Sequence, residues 1–194
     1  MKKNLLLIVA LLLGATAAFA QPRAIGGRVG SGIELSYQHT VGKNFVSLDA
    51  GLIYGSSRIC NLTTNVDGER IHDSGFYGVS DMVGVETVAT YNWLFPIKAW
   101  KGKGEWNWYV GAGAGIGYLR CWNDLNKIDI TKGGDMGFAG VAARIGFEYN
   151  FWFPLQLSFD YRPLIGPAFD SNTVAYNLTG LYAGAICVGV RYRF

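Results

Sequence analysis

The chain has 194 residues, half of them hydrophobic, 14% aromatic and only 16% charged, with 27 glycines and a formal net charge of +3. Such a length suits one domain, and so small a positive excess gives no support for nucleic-acid binding, which needs a basic patch or stripe. Three cysteines and two histidines match no metal-ligand spacing, so neither a metal centre nor a cofactor is expected.

The first predicted element is a secretory signal peptide over residues 1–20. Lys2 and Lys3 form its basic end, residues 5–13 its apolar core, and Ala18-Phe19-Ala20 its cleavage site, so the mature domain is expected to span 21–194. The apolar core is too short to cross a bilayer, which takes about 20 residues. No cysteine follows it, so a lipid anchor is not expected either. Export leaves 15 Lys and Arg against 14 Asp and Glu.

Beyond residue 20 the sequence alternates with period two, in segments near the length of a tilted transmembrane strand. A short, glycine-rich strand is predicted at 24–30, turning at Ser31-Gly32. Next, Ile33, Leu35 and Tyr37 share one face and Glu34, Ser36 and Gln38 the other. Val46, Leu48, Ala50, Leu52 and Tyr54 then oppose Ser47, Asp49, Gly51 and Ile53. In the fourth segment Val83, Val85, Ala89, Tyr91 and Trp93 oppose Gly84, Glu86, Thr90 and Asn92. The fifth sets Trp108, Val110, Ala112, Ala114, Ile116 and Tyr118 against four alternating glycines, which argue against a helix over 110–119. The sixth sets Val141, Ala143, Ile145, Phe147 and Tyr149 against Gly140, Arg144, Gly146 and Glu148. Leu155, Leu157, Phe159 and Tyr161 oppose Gln156, Ser158, Asp160 and Arg162 in the seventh. The eighth sets Tyr182, Ile186, Val188, Val190, Tyr192 and Phe194 against Cys187, Gly189, Arg191 and Arg193.

Soluble antiparallel sheets also alternate. Here aromatic residues gather near the ends of the apolar faces, the opposite faces carry Gly, Ser and balanced charge, and connections alternate in length. Residues 40–44 and 150–154 read as tight turns, whereas 56–80, 122–135 and 163–178 read as long loops. Without a spanning helix, the remaining way through a bilayer is a closed barrel that pairs every backbone group. The reading is therefore an all-β, eight-stranded, antiparallel up-and-down transmembrane barrel, eight keeping the even strand number of single-chain bacterial barrels.

Three segments, AIGGRVGSGIELSYQH at 24–39, FDYRP at 159–163 and VGVRYRF at 188–194, resemble the small outer-membrane β-barrel proteins of Bacteroidetes, which are similar in build to OmpA- and OmpX-type barrels. The resemblance implies an outer-membrane location in a Gram-negative bacterium, with outer-membrane lipids as surroundings. It also implies that Val188, Val190, Tyr192 and Phe194 form the signal read by the barrel-assembly machinery. No peptidoglycan-binding domain is expected after Phe194.

The predicted lumen face carries Arg28, Arg144, Arg162, Arg191 and Arg193 with Glu34, Asp49, Glu86, Glu148 and Asp160. An eight-stranded barrel is only just wide enough to be filled by side chains, and unpaired buried charges are costly. Five bases against five acids therefore predict a structural ion-pair network that plugs the interior; a narrow channel is the alternative. His72-Asp73-Ser74 has the residue types of a hydrolase or lipid-modifying acyltransferase. Neighbours in one loop project apart, however, and His39 falls on the opposite rim, so no catalytic residue is assigned. Cys60 and Cys121, near the outer ends of two strands, are a candidate disulfide, and Cys187 reads as an unpaired packing residue. The polar loops 56–80 and 122–135 would present any extracellular ligand-binding surface, and Lys98, Lys101 and Lys103 mark an unusually long inner turn.

Overall fold

The computed structural model describes residues 23–30, 32–66, 69–98, 102–121, 135–169, 173–177 and 186–194, with the backbone alone for 55–82, 121 and 173–177. The signal peptide, its cleavage site, most of the 122–135 connection, Lys101 and Tyr182 lie outside them. Ten strands follow in order: β1 (Arg23–Val29), β2 (Gly32–Val41), β3 (Asn44–Val66), β4 (Glu69–Pro96), β5 (Glu105–Cys121), β6 (Asp135–Asn150), β7 (Leu155–Tyr161), β8 (Leu164–Phe169), β9 (Thr173–Asn177) and β10 (Ile186–Arg193).

These strands build eight wall positions. Strands β1 to β7 pair in succession, β7 pairs with β10, and β10 returns to β1, all antiparallel. Strand β8 continues the line of β7 along β6, and β9 precedes β10 in the eighth wall. Closure removes the sheet edges that an open sheet would leave unpaired. Stepping from Val190 through Gly27, Leu35, Ala50, Thr87 and Ile116 to Ala139, then carrying the β6–β7 and β7–β10 registers onward, returns to the last wall about ten residues away, a stagger that tilts the strands by about 40°.

Local sequence sets the short-turn rim. Val41 pairs with Asn44 across Gly42-Lys43. Gly42 has φ of 62°, which glycine adopts without the steric cost a Cβ would bring. The β4–β5 connection begins with a hydrogen bond from Ile97 N to Trp106 O (2.8 Å), and Phe151 N donates to Leu155 O (3.0 Å) in the β6–β7 turn.

The burial pattern is inverted relative to a water-soluble fold. Val141 is 67% exposed, Leu35 63% and Ile116 65%, whereas Arg28 and Arg144 are each 1% exposed. Aromatics band the short-turn rim: Phe95 stacks on Trp108 (4.5 Å between centroids), Trp106 packs on Tyr149 (4.7 Å), and Phe151 touches Trp152 and Phe153. Tyr54, Tyr118 and Phe169 face outward toward the other end. Trp108 and Tyr118 are ten residues apart on β5, about 33 Å along the strand and about 25 Å along the barrel axis, the height of the apolar band in outer-membrane barrels.

Three expectations need correction. Residues 56–80 are mainly the upper part of a tall β3–β4 hairpin, paired up to Val66 and Glu69 across Asp67-Gly68. Asp-Gly between two strand runs is a strong hairpin signal in the sequence, and apolar alternation fades over these residues. Within 163–178, β8 and β9 pair with each other, and β9 lies along the upper part of β3 above the end of β2. The candidate disulfide conflicts with the register. Cys60 pairs with Phe76 and Cys121 with Met82, on opposite flanks of β4, so six residues of β4 separate them by about 20 Å. Bridged Cα atoms lie within about 7 Å.

Candidate functional site: the ion-paired interior

Strand parity delivers every second side chain to the lumen, and three layers result. The central layer is ionic. Asp49 is its hub, receiving Arg28 at 2.9 Å, Arg144 at 3.1 Å and Arg162 at 3.2 Å, with Ser36 donating a further hydrogen bond. Asp160 takes Arg28 on one oxygen and Arg144 (2.9 Å) on the other, where Tyr109 Oη also donates (2.9 Å). Arg28 reaches Glu34 at 2.8 Å, and Arg162 binds both Glu34 and Glu86. The Arg144 guanidinium lies 5.5 Å from the Tyr109 ring centroid and donates to Ser47 Oγ (2.6 Å), which shares a hydrogen bond with Thr90 (2.8 Å). Carboxylates on β2, β3, β4 and β7 are thus tied to arginines from β1, β6 and the residue after β7.

The remaining candidates stand apart. Arg191 is buried, but its contacts are neutral: Ser36 Oγ at 2.9 Å, Ser158 Oγ at 2.8 Å and Gln156 Oε1 at 3.4 Å. Glu148 is buried and accepts only from the amides of Asn107 (3.2 Å), Asn150 (3.1 Å) and Gln156 (3.0 Å). Arg193 is half-buried and borders an opening of about 200 Å³ at the short-turn rim. The single ten-membered network expected from the sequence is therefore a seven-membered cluster of Arg28, Glu34, Asp49, Glu86, Arg144, Asp160 and Arg162, with Arg191, Glu148 and Arg193 outside its ion pairs.

Toward the long-hairpin end the lumen turns apolar, with Ile53, Val88, Leu119, Phe138, Leu164 and Cys187 buried. This layer adds an apolar part to the ion-paired plug expected from the sequence, which had placed only Ile53 and Cys187 of these residues on the lumen face. The β5 glycines make room for it: a Cβ on Gly117 would lie 2.3 Å from the Phe138 ring, and one on Gly115 would lie 2.8 Å from Val88. The reading of the polar face missed Tyr109, although its place between outward Trp108 and Val110 identifies it by parity. Phe138 carries the same signal one strand along.

Histidines give no cluster. His39 lies near the short-turn rim, whereas His72 pairs with Thr63 high on the hairpin. His72, Asp73 and Ser74 lie on strand β4 and not in a loop; their side chains lie outside the described residues. Among the described residues no group of three or more His, Cys, Asp or Glu side chains is placed to hold a metal.

These features define a class: a small closed β-barrel with an apolar outer wall and an ion-paired, filled interior. No family model matches the chain, and no curated protein matches it by sequence. Among solved structures it is similar to the N-terminal β-barrel domain of Pseudomonas aeruginosa OprF, at 13% identity and a TM-score of 0.47, over 89% of this chain and 96% of that one. It is also similar to Ail, the attachment invasion locus protein of Yersinia pestis, at 12% identity and a TM-score of 0.36, over 89% and 94%. At these values the fold assignment stands on the strand pairing of this chain itself.

Proposed function

We propose that the protein is an integral outer-membrane barrel of a Gram-negative bacterium, non-enzymatic, with a sealed interior and a structural or surface-interaction role. The inverted burial carries this reading: apolar side chains cover the outside while arginines and carboxylates are consumed by one another within. Placed in water, that wall would be a far larger apolar surface than soluble monomers expose. The tall β3–β4 hairpin then faces the exterior and is the surface available to an extracellular ligand. Export through a signal peptide ending near Ala20 fits this location. Val188, Val190 and Tyr192 point outward on β10 next to Phe194, in keeping with recognition by the barrel-assembly machinery.

An epitope inserted between Asp67 and Gly68 should be labelled on intact cells, and one between Gly42 and Lys43 only after the outer membrane is opened. The reverse pattern, or labelling of both, would contradict the orientation. Purified protein should give no reproducible single-channel steps in planar bilayers. Turnover of lipid A or phospholipid that is lost in His72→Ala would overturn the non-enzymatic reading.

A further inference from the structure

The ionic layer leaves one acid over. Glu148 is 3% exposed, and among the described residues it has only neutral amide donors and no cation within ion-pair distance. Its carboxylate borders the opening of about 200 Å³ at the short-turn rim. Two further groups on that opening lack a match. Gln38 is 5% exposed, and its Nε2 has no hydrogen-bond partner, although a buried amide N–H without one is costly. Arg193, on the same lining, forms no ion pair among the described residues. Phe45 and Leu94 supply apolar wall.

One opening therefore offers an anion, a cation and an unused buried donor beside an apolar surface. A lone cation would satisfy Glu148 and leave Gln38 and Arg193 unmatched, and a lone anion would do the reverse. The volume falls below the ~300–1,000 Å³ of sites for drug-sized ligands, so the occupant is small. We propose that this rim pocket binds a small aliphatic zwitterion of the α-amino-acid class. Its ammonium pairs with Glu148, its carboxylate accepts from Arg193 and Gln38 Nε2, and its side chain lies on Phe45 and Leu94. Binding does not depend on which side of a membrane the rim faces, so failure of the proposed orientation would leave it standing.

The test is titration calorimetry on the refolded full-length mature barrel in detergent, with L-valine as probe and isovalerate and isobutylamine as its two halves. L-Valine should bind saturably, and each half more weakly by about tenfold or more, the scale of a lost charge-assisted hydrogen bond. Arg193→Gln should bring L-valine down to the level of isobutylamine, and Glu148→Gln down to that of isovalerate. Heat-dependent gel mobility verifies that each variant is folded, and half-buried Arg193 gives a decisive variant if Glu148→Gln does not fold. Absence of saturable L-valine binding, as for a mouth filled only with water, would overturn the proposal. So would binding that neither substitution changes, or halves that bind as well as the whole.

Discussion

Asp49 shows how the interior is held. Three guanidiniums and a hydroxyl converge on a carboxylate with no exposed surface, so its loss leaves three buried cations short of compensation. Breaking a buried pair by removing one partner costs about 3–5 kcal/mol, because the remaining charge is stranded. Asp49→Ala should cost that much in urea unfolding from lipid vesicles. Asp135→Ala, which removes the exposed pair with Arg120 at 2.9 Å and a surface contact with the Tyr118 hydroxyl, should cost less than about 1 kcal/mol. Equal costs would mean that the central cluster is not structural. The inward orientation of these charges was legible because period-two parity fixes the face of each residue. Their pairing was not: which arginine meets which carboxylate depends on ring closure and stagger, and these link residues as distant as Arg28 and Asp160.

At the scale of elements, β5 shows why glycine recurs on a lumen-facing stripe. A Cβ on Gly113 would lie 1.9 Å from the carbonyl oxygen of Ala89 and 2.7 Å from Thr90 Cα, which is backbone that cannot swing aside. A Cβ on Gly27 would meet nothing nearer than 3.8 Å. Gly113→Val should therefore destabilise the barrel by about 1–3 kcal/mol through overpacking, while Gly27→Ala should stay within about 0.5 kcal/mol. The same urea titration checks both; a neutral Gly113→Val would refute the tight strand approach. The β3–β4 hairpin was the element least legible. Alternation between apolar and polar faces is what marks a strand in the sequence, and that alternation fades over residues 56–80. The Asp67-Gly68 pair was the usable clue, since turn chemistry acts on the backbone whatever surrounds the strands.

At the scale of the whole molecule, the medium that the outer wall meets decides what the barrel tolerates. Val141 faces outward opposite Ala114, near the middle of the apolar band. Val141→Arg should cost about 2–4 kcal/mol in lipid vesicles, the penalty for a basic side chain at the bilayer midplane. A wall facing water would tolerate it. The interior and the wall were read together from the sequence because they are two faces of the same strands. What the upper hairpin meets was not, because no periodic constraint governs it.

The most direct test is membrane fractionation followed by gel mobility in SDS with and without boiling. The protein should be recovered in the outer-membrane fraction and run as a compact band that shifts on boiling, as a closed barrel with an ion-paired core resists the detergent. Recovery as a soluble periplasmic protein with no shift would contradict the account, and the charged face would then have to be the one that meets water.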